Sequence, residues 1–235
     1  MTFFDRLVAE TQAEREDFQS ISVIQTAVSQ GVTKDLYAQY LTQAYHHVRF
    51  TVPLLEFALE GCNVGDETYA NALAEYIEEE AGHDEWVLDD IKALGEDSEA
   101  VRNGRDGHGG GFACRVMISH AYYLIEHQSP YALLGMVHVL EGMSVVLADQ
   151  AAGAIRASFG DNPPNAFSYL TSHGALDMEH VKFFENLVNG LGDPDVEDII
   201  IASAKDFYKL FGNMFRELGE KLLSTPANQN EETNS

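Results

Sequence analysis

Along most of this chain, apolar residues return every three or four positions, the spacing of one face of an α-helix. Leu36, Tyr40, Leu41, Tyr45, Val48, Val52, Leu55 and Leu59 form the longest such series. Thr33 stands where a helix starting at Lys34 needs an acceptor for its first amides. Pro53 predicts a bend in that helix and not its end, because the apolar series continues beyond it. Residues 2–18 carry an interrupted version of the pattern at Phe4, Leu7, Val8 and Phe18. Asp66 predicts the cap of a helix running to about Leu94, where Gly95 ends it. Residues 95–111, rich in glycine, read as the first loop and as a linker, since no strand precedes them and their spacing matches no phosphate loop.

Phe112 to about His127 predicts another apolar helix. Ser129-Pro130 is a start signal for the next, which runs to about Phe159 and is broken by Gly160-Asp-Asn-Pro-Pro164. A short helix follows, then one carrying His173 to about Leu191. Gly192-Asp-Pro194 breaks the chain again before a last helix from about Val196 to Leu223. The polar tail, 224–235, predicts disorder. No strand or repeat emerges, and the loops are too short to separate domains. The expected fold class is all-α: a single compact bundle of seven to eight helices over residues 1–223.

Composition narrows the function. At 45% hydrophobic residues the chain can bury a sizeable core, and it has no unbroken apolar run of membrane-spanning length. Its first residues are acidic early and lack the basic flank of a signal peptide. Cys62 and Cys114, the two cysteines, predict free thiols in a reducing, cytoplasmic setting. A net charge of −24 argues against nucleic acid and against anionic membranes as partners. Much of the acidity crowds one segment, Glu75, Glu78, Glu79, Glu80, Asp84, Glu85, Asp89 and Asp90, which is cheaper to keep if cations sit among the carboxylates.

The candidate chemistry lies in three helices. In His173-Gly-Ala-Leu-Asp177-Met-Glu-His180, offsets of four and three place two imidazoles and a carboxylate on one helix face, within roughly 60° of arc. Glu80-Ala-Gly-His83 is an E-x-x-H pair, with Glu78 and Glu79 competing for the carboxylate role. Glu141 lies in a helix whose neighbours are nearly all apolar, where a buried carboxylate needs a cation or a metal. His138, on the same face, reads as a satisfied core histidine or a hydrogen-bond donor to the site. Three carboxylates and three neutral imidazoles come close to balancing two divalent ions, as burial requires. Mixed nitrogen and oxygen donors without cysteine suit iron or manganese, and six protein ligands leave positions for dioxygen and substrate. Tyr45, His46, His47, Phe50, Tyr122 and Tyr123 are candidates to line a substrate pocket, although at helical spacing they fit the core equally well.

The order E-x-x-H, a glutamate on a later helix, then H-x-x-x-D-x-x-H resembles the haem-oxygenase-like di-iron oxidases, iron-containing redox enzymes of the TenA/PqqC-like superfamily. The resemblance covers roughly residues 30–222. It implies Glu80, His83, Glu141, His173, Asp177 and His180 as ligands of two iron ions, manganese being the alternative. It also implies dioxygen as co-substrate, an unidentified small-molecule substrate and a homodimer. The thiaminase branch uses a cysteine nucleophile, and neither cysteine fits its motif. The quinone-synthase branch binds its substrate with arginines, which are few here. Two other readings stay open: a ferritin-like iron-binding bundle with Glu56 as an additional ligand, and a metal-free small-molecule-binding protein on the same scaffold.

Overall fold

A computed structural model of the chain describes residues 1–161 and 164–224, with their side chains apart from those of residues 148–149, 172–179 and 221–224. Of the expected tail, 224–235, Ser224 ends the last helix and residues 225–235 lie outside the described residues. Among the described residues there are only helices, turns and loops. In chain order the helices are α1 (Phe3–Glu10), α2 (Gln12–Gln19), α3 (Ser22–Gln30), α4 (Lys34–Val48), α5 (Thr51–Glu60) and α6 (Glu67–Glu80). There follow α7 (His83–Ala93), α8 (Ser98–Asn103), α9 (Phe112–His127), a 3-10 turn (Pro130–Ala132), α10 (Leu133–Ser158), α11 (Ser168–Asn189) and α12 (Pro194–Ser224).

The helix count among the described residues exceeds the expected seven to eight because three rods are cut into two segments and α3 and α8 form where no helix was expected, while the short helix expected before His173 is the start of α11. Pro53 would clash with the carbonyl of Arg49 in a continuous helix. The chain therefore leaves the helix after Val48 and re-enters at Thr51, which places Pro53 in a first turn whose amides need no helical partner. The rod expected from Asp66 to Leu94 breaks at Ala81-Gly82, where Gly82 adopts φ +89°. Asp66 holds the N-cap position of α6, but its carboxylate is turned away, accepting from the Asn63 amide at 2.8 Å and the Tyr131 hydroxyl at 2.9 Å. Thr33 does cap α4, its hydroxyl accepting from the Leu36 amide at 3.2 Å. The 95–111 segment is not all loop: Asp97 caps the six-residue α8. The glycines beyond α8 are tied to α4, with the Gly111 amide donating to Gln43 Oε1 at 2.6 Å and the His108 carbonyl 2.7 Å from His46 Nε2.

α10 is the axis of the bundle, packed by α3, α11 and α12, and α9 packs mainly on α12. The stretch Pro130–Leu147 is long and apolar enough to cross a membrane by length and composition alone; here Leu133, Leu134, Met136, Val139 and Met143 are buried in the core and Val146 is exposed. Gly135 lets α10 and α12 approach closely. A Cβ there would lie 2.5 Å from the Ala204 amide, and beside it Ser203 donates its hydroxyl to the Ala132 carbonyl at 2.6 Å. One core cluster, including Met117, Phe184 and Phe207, fills this side. A second, around Tyr37, Val87, Ile91 and Phe167, joins α4 and α7 to the start of α11. The candidate site lies where α6, α7, α10 and α11 meet.

Candidate metal centre

Glu80 is the last residue of α6 and His83 the first of α7. The two were expected on successive turns of one helix; the break at Gly82 overturns that. A positive φ carries no penalty at glycine, so the chain can turn sharply there. The break still brings the pair together, with His83 Nδ1 3.0 Å from Glu80 Oε2. His83 is buried, and its ring stacks on Trp86 with centroids 4.2 Å apart.

His180 reaches the same spot from α11. Its Nδ1 lies 3.8 Å from Glu80 Oε1 and 3.8 Å from Glu141 Oε1 of α10. Its Nε2 faces outward, 3.1 Å from Glu79 Oε2. Both inner carboxylates are nearly buried, the Glu80 side chain 11% and the Glu141 side chain 13% exposed, whereas Glu79 is 44% exposed. Glu78 is exposed. Of the three competing glutamates, Glu80 is the one that touches both imidazoles from inside. Glu79 holds the outer nitrogen of His180.

Four of the six expected ligands therefore converge. The side chains of His173 and Asp177 lie outside the described residues. Among the described residues, no three His, Cys, Asp or Glu side chains are already arranged about a common centre. The donor set nevertheless fits iron. Bonds of about 2.0–2.2 Å place neighbouring ligand atoms roughly 3–3.5 Å apart; the 3.0 Å between His83 and Glu80 falls there, and the two 3.8 Å separations to His180 lie just beyond it. The cluster contains imidazole and carboxylate and no thiol. Both cysteines are free and elsewhere, and burial raises the pKa of each, that of Cys114 to about 11. Neither is poised as a thiolate nucleophile. Glu56, the extra ligand of a ferritin-like arrangement, is exposed on α5.

A cavity opens beside the cluster, and Glu80, Glu141 and Tyr76 are in its wall. Of the six pocket candidates, His47 lines it. Tyr45 is buried in the second core cluster, and His46 is held by the His108 carbonyl. Phe50 and Tyr122 pack against the first cluster, and Tyr123 is exposed. Helical spacing cannot distinguish a wall residue from a core residue, and for these five the core or surface placement won. His138 is not in the cavity wall either. Phe4, Phe184 and Tyr208 enclose its ring, and its Nε2 is buried without a hydrogen-bond partner among the described residues. Burial, with Arg15 adding to it, pushes the His138 pKa down to about 4.

Two residues near the site were not anticipated. Asp90, buried on α7, caps α11: Oδ1 accepts from the Ser168 amide and hydroxyl at 3.1 and 2.7 Å, and Oδ2 from the Tyr169 amide at 2.8 Å. Its signal was legible, for an acid between Leu88 and Ile91 on an apolar face is as anomalous as Glu141 in α10. Tyr76, one turn before Glu80, is buried with its hydroxyl unpartnered among the described residues and its ring edge-on to His180 at 6.0 Å. Burial raises its pKa far above the ordinary value, and Glu141, Glu79 and Glu80 raise it further, so the hydroxyl keeps its proton.

The arrangement of helices is that of the haem-oxygenase-like proteins. A domain with a heme oxygenase-like fold from Shewanella denitrificans superposes with a TM-score of 0.82 over 98% of both chains at 18% identity. A TenA homologue from Pseudomonas syringae gives 0.76 over 93% of both chains at 11% identity. Heme oxygenase-1 from Synechocystis, in complex with heme, gives 0.70 over 95% of both at 12% identity. No curated protein sequence matches the chain. The chain belongs to the iron-containing redox enzyme family, whose model matches residues 38–212. That span includes all six candidate ligands.

Proposed function

We propose that this protein is a non-haem di-iron oxidase or oxygenase acting on a small organic substrate with dioxygen. The observation that carries the reading is the meeting of Glu80, His83, Glu141 and His180 from four helix segments, in a member of an iron-containing redox family. These four, with His173 and Asp177, would hold two iron ions. Two ferrous ions there would supply electrons for the reduction of dioxygen. The chain's own contribution is to orient the donors. His180 gives its Nε2–H to Glu79, which leaves Nδ1 as a lone-pair donor facing Glu80 and Glu141. His83 is held in place by Trp86. Tyr76 offers a protonated hydroxyl at the cavity wall.

A haem reading has less support. Among the described residues no Lys or Arg lines the cavity to meet propionates. A ferritin-like reading loses Glu56 to the surface. A metal-free binder on the TenA scaffold remains the second reading, favoured by the likeness to a TenA homologue. We place the protein in the cytoplasm as a homodimer, with free thiols in keeping with the first of these.

Anaerobic reconstitution with ferrous iron tests the proposal. Close to two irons per chain should bind, and Asp177→Ala should lose at least one. Unchanged stoichiometry in that variant would remove the α11 carboxylate from the site. Oxygen uptake that depends on an added organic substrate separates an oxidase from iron storage. Absence of iron binding under all conditions leaves the metal-free binder.

A further inference from the structure

α9 has two faces of similar chemistry and opposite fate. Inward, Met117, Ala121, Leu124 and Ile125 are buried in the first core cluster. Outward, offsets of four, seven and eleven residues place Phe112, Val116, Ser119 and Tyr123 within about 60° of arc. Phe112 is 71% and Tyr123 54% exposed, and no other aromatic side chain among the described residues is exposed. A single exposed apolar residue needs no explanation; two aromatics aligned down one helix, with Val116 between them, make a surface.

Charge says what covers that surface. The chain carries −24, and α6 alone has five glutamates and no Lys or Arg. In a two-fold contact a surface meets its own copy, so an acidic face repels itself. α9 carries one cation, Arg115, and one carboxylate, Glu126, which cancel. On the adjoining edge of α12, exposed Lys209 offsets Asp206. α3 is also uncharged, but it exposes no large apolar side chain. The α9 face is moreover self-complementary. Two antiparallel copies of α9, related by an axis between Val116 and Ser119, bring Phe112 opposite the partner's Tyr123 and Arg115 opposite the partner's His120. Beside His120, 3.2 Å from its Nε2, stands the Asp206 carboxylate, 48% exposed. Arg115 is itself exposed, its guanidinium donating to the Gly110 carbonyl.

We infer that two copies of this chain associate through α9 and the adjoining edge of α12. Phe112 packs on the partner's Tyr123, and Arg115 pairs with the partner's Asp206. The inference gives the proposed homodimer its contact surface and rests on that part of the proposal; it does not depend on the metal site.

Sedimentation equilibrium on the full chain, across the micromolar range, tests the surface. The wild type should form dimers. Arg115→Glu sets a carboxylate against the partner's Asp206, and Asp206→Lys sets a cation against the partner's Arg115. Each reversal should weaken the dimer at least about tenfold. Mixing the two variants should restore dimers, because every mixed pair then has opposite charges at both contacts. A defect in folding could not be repaired in that way. Phe112→Ser should weaken the dimer about tenfold as well, by removing an aromatic anchor. A wild-type dimer that survives Phe112→Ser or either charge reversal undiminished overturns the surface and leaves the homodimer standing. Reversed variants that stay monomeric when mixed overturn the surface too. A wild-type chain that is monomeric at every concentration overturns both the surface and the homodimer. Iron stoichiometry on the same preparations reports on the metal site alone.

Discussion

One helix, α10, makes two contacts of opposite character. Against α12 it is closed: Gly135 admits the Ala204 backbone, and Ser203 satisfies the Ala132 carbonyl. Around Glu141 it is unfinished: Glu141 Oε1 lies 3.8 Å from His180 Nδ1 of α11, which lies 3.8 Å from Glu80 Oε1, beside a cavity. The first contact is close-packed backbone that tolerates no added atom. The second gathers charge that burial disfavours unless counter-charge is supplied. The contrast shows a division of labour in which the α10–α12 contact fixes the position of Glu141 while the broken α6–α7 rod and α11 bring the other donors to it.

The largest effect should come from breaking the closed contact. Gly135→Val drives a side chain into the α12 backbone, where no flexible group can yield. A loss of about 3 kcal/mol or more is expected by chemical denaturation. By contrast Gly82→Ala, in open space at φ +89°, should cost only about 1–2 kcal/mol, the penalty of the left-handed backbone. Equal losses at the two glycines would dissolve the distinction between a closed and an open contact.

Acid tests the same closed side through His138. Its ring is enclosed by Phe4 from α1, Phe184 from α11 and Tyr208 from α12, with Arg15 of α2 as the charged neighbour. The fold lowers its pKa from 6.5 to about 4, so as pH falls the unfolded chain takes up the proton first. The stability that depends on a neutral ring is complete above about 6.5 and is lost as pH falls towards about 4. The loss amounts to about 3 kcal/mol. His138→Phe keeps a planar ring among aromatics and should flatten the stability profile through that window. An unchanged profile would assign the acid sensitivity to other groups.

Asp90→Ala attacks the open side at its root. It strands two amides and a hydroxyl at the start of α11, and should cost about 2 kcal/mol. Hydrogen exchange should quicken first at residues 168–172, and ferrous iron should bind more weakly because α11 carries His180. Iron binding equal to wild type would show that the site does not depend on how this helix is anchored.

Much of this was legible in the sequence, for reasons that differ by residue. Periodicity found most of the helices because burial of one face dictates it, and missed α3 and the six-residue α8. Glu141 announced itself by being the wrong chemistry for its surroundings. Gly82 was visible as a residue, but the break it makes was not, since an isolated glycine is also tolerated within a helix. The pocket wall was the least legible part. Whether Tyr45, Tyr122 or His47 faces a cavity is decided by the crossing of distant helices. The wall consists mostly of aliphatic residues of α3, α5 and α10, which apolar periodicity does not distinguish from core.

The smallest effect on the fold, and the most pointed test of the open contact, is Glu79→Gln. Glu79 is half-exposed and touches the cluster through the outer nitrogen of His180. An exposed pair of this kind contributes little to folding, and the change in unfolding free energy should stay within about 0.5 kcal/mol. Its role in orienting a ligand is another matter. A carboxylate on the distal nitrogen fixes which imidazole nitrogen carries the proton, and such partners are worth roughly 10–100-fold in metal affinity. The glutamine carbonyl can still accept the hydrogen bond but cannot offer the same charge, so ferrous iron should bind about tenfold more weakly. Trp86, the only tryptophan, is stacked on His83 and provides the readout. Its fluorescence should be quenched as iron fills the site, and the quenching curve of the variant should move to higher iron with an unchanged endpoint. A curve that coincides with wild type would show Glu79 to be a surface neighbour of His180 and nothing more. A curve displaced in the variant, with the fold intact, would show that the open contact is tuned from its solvent side.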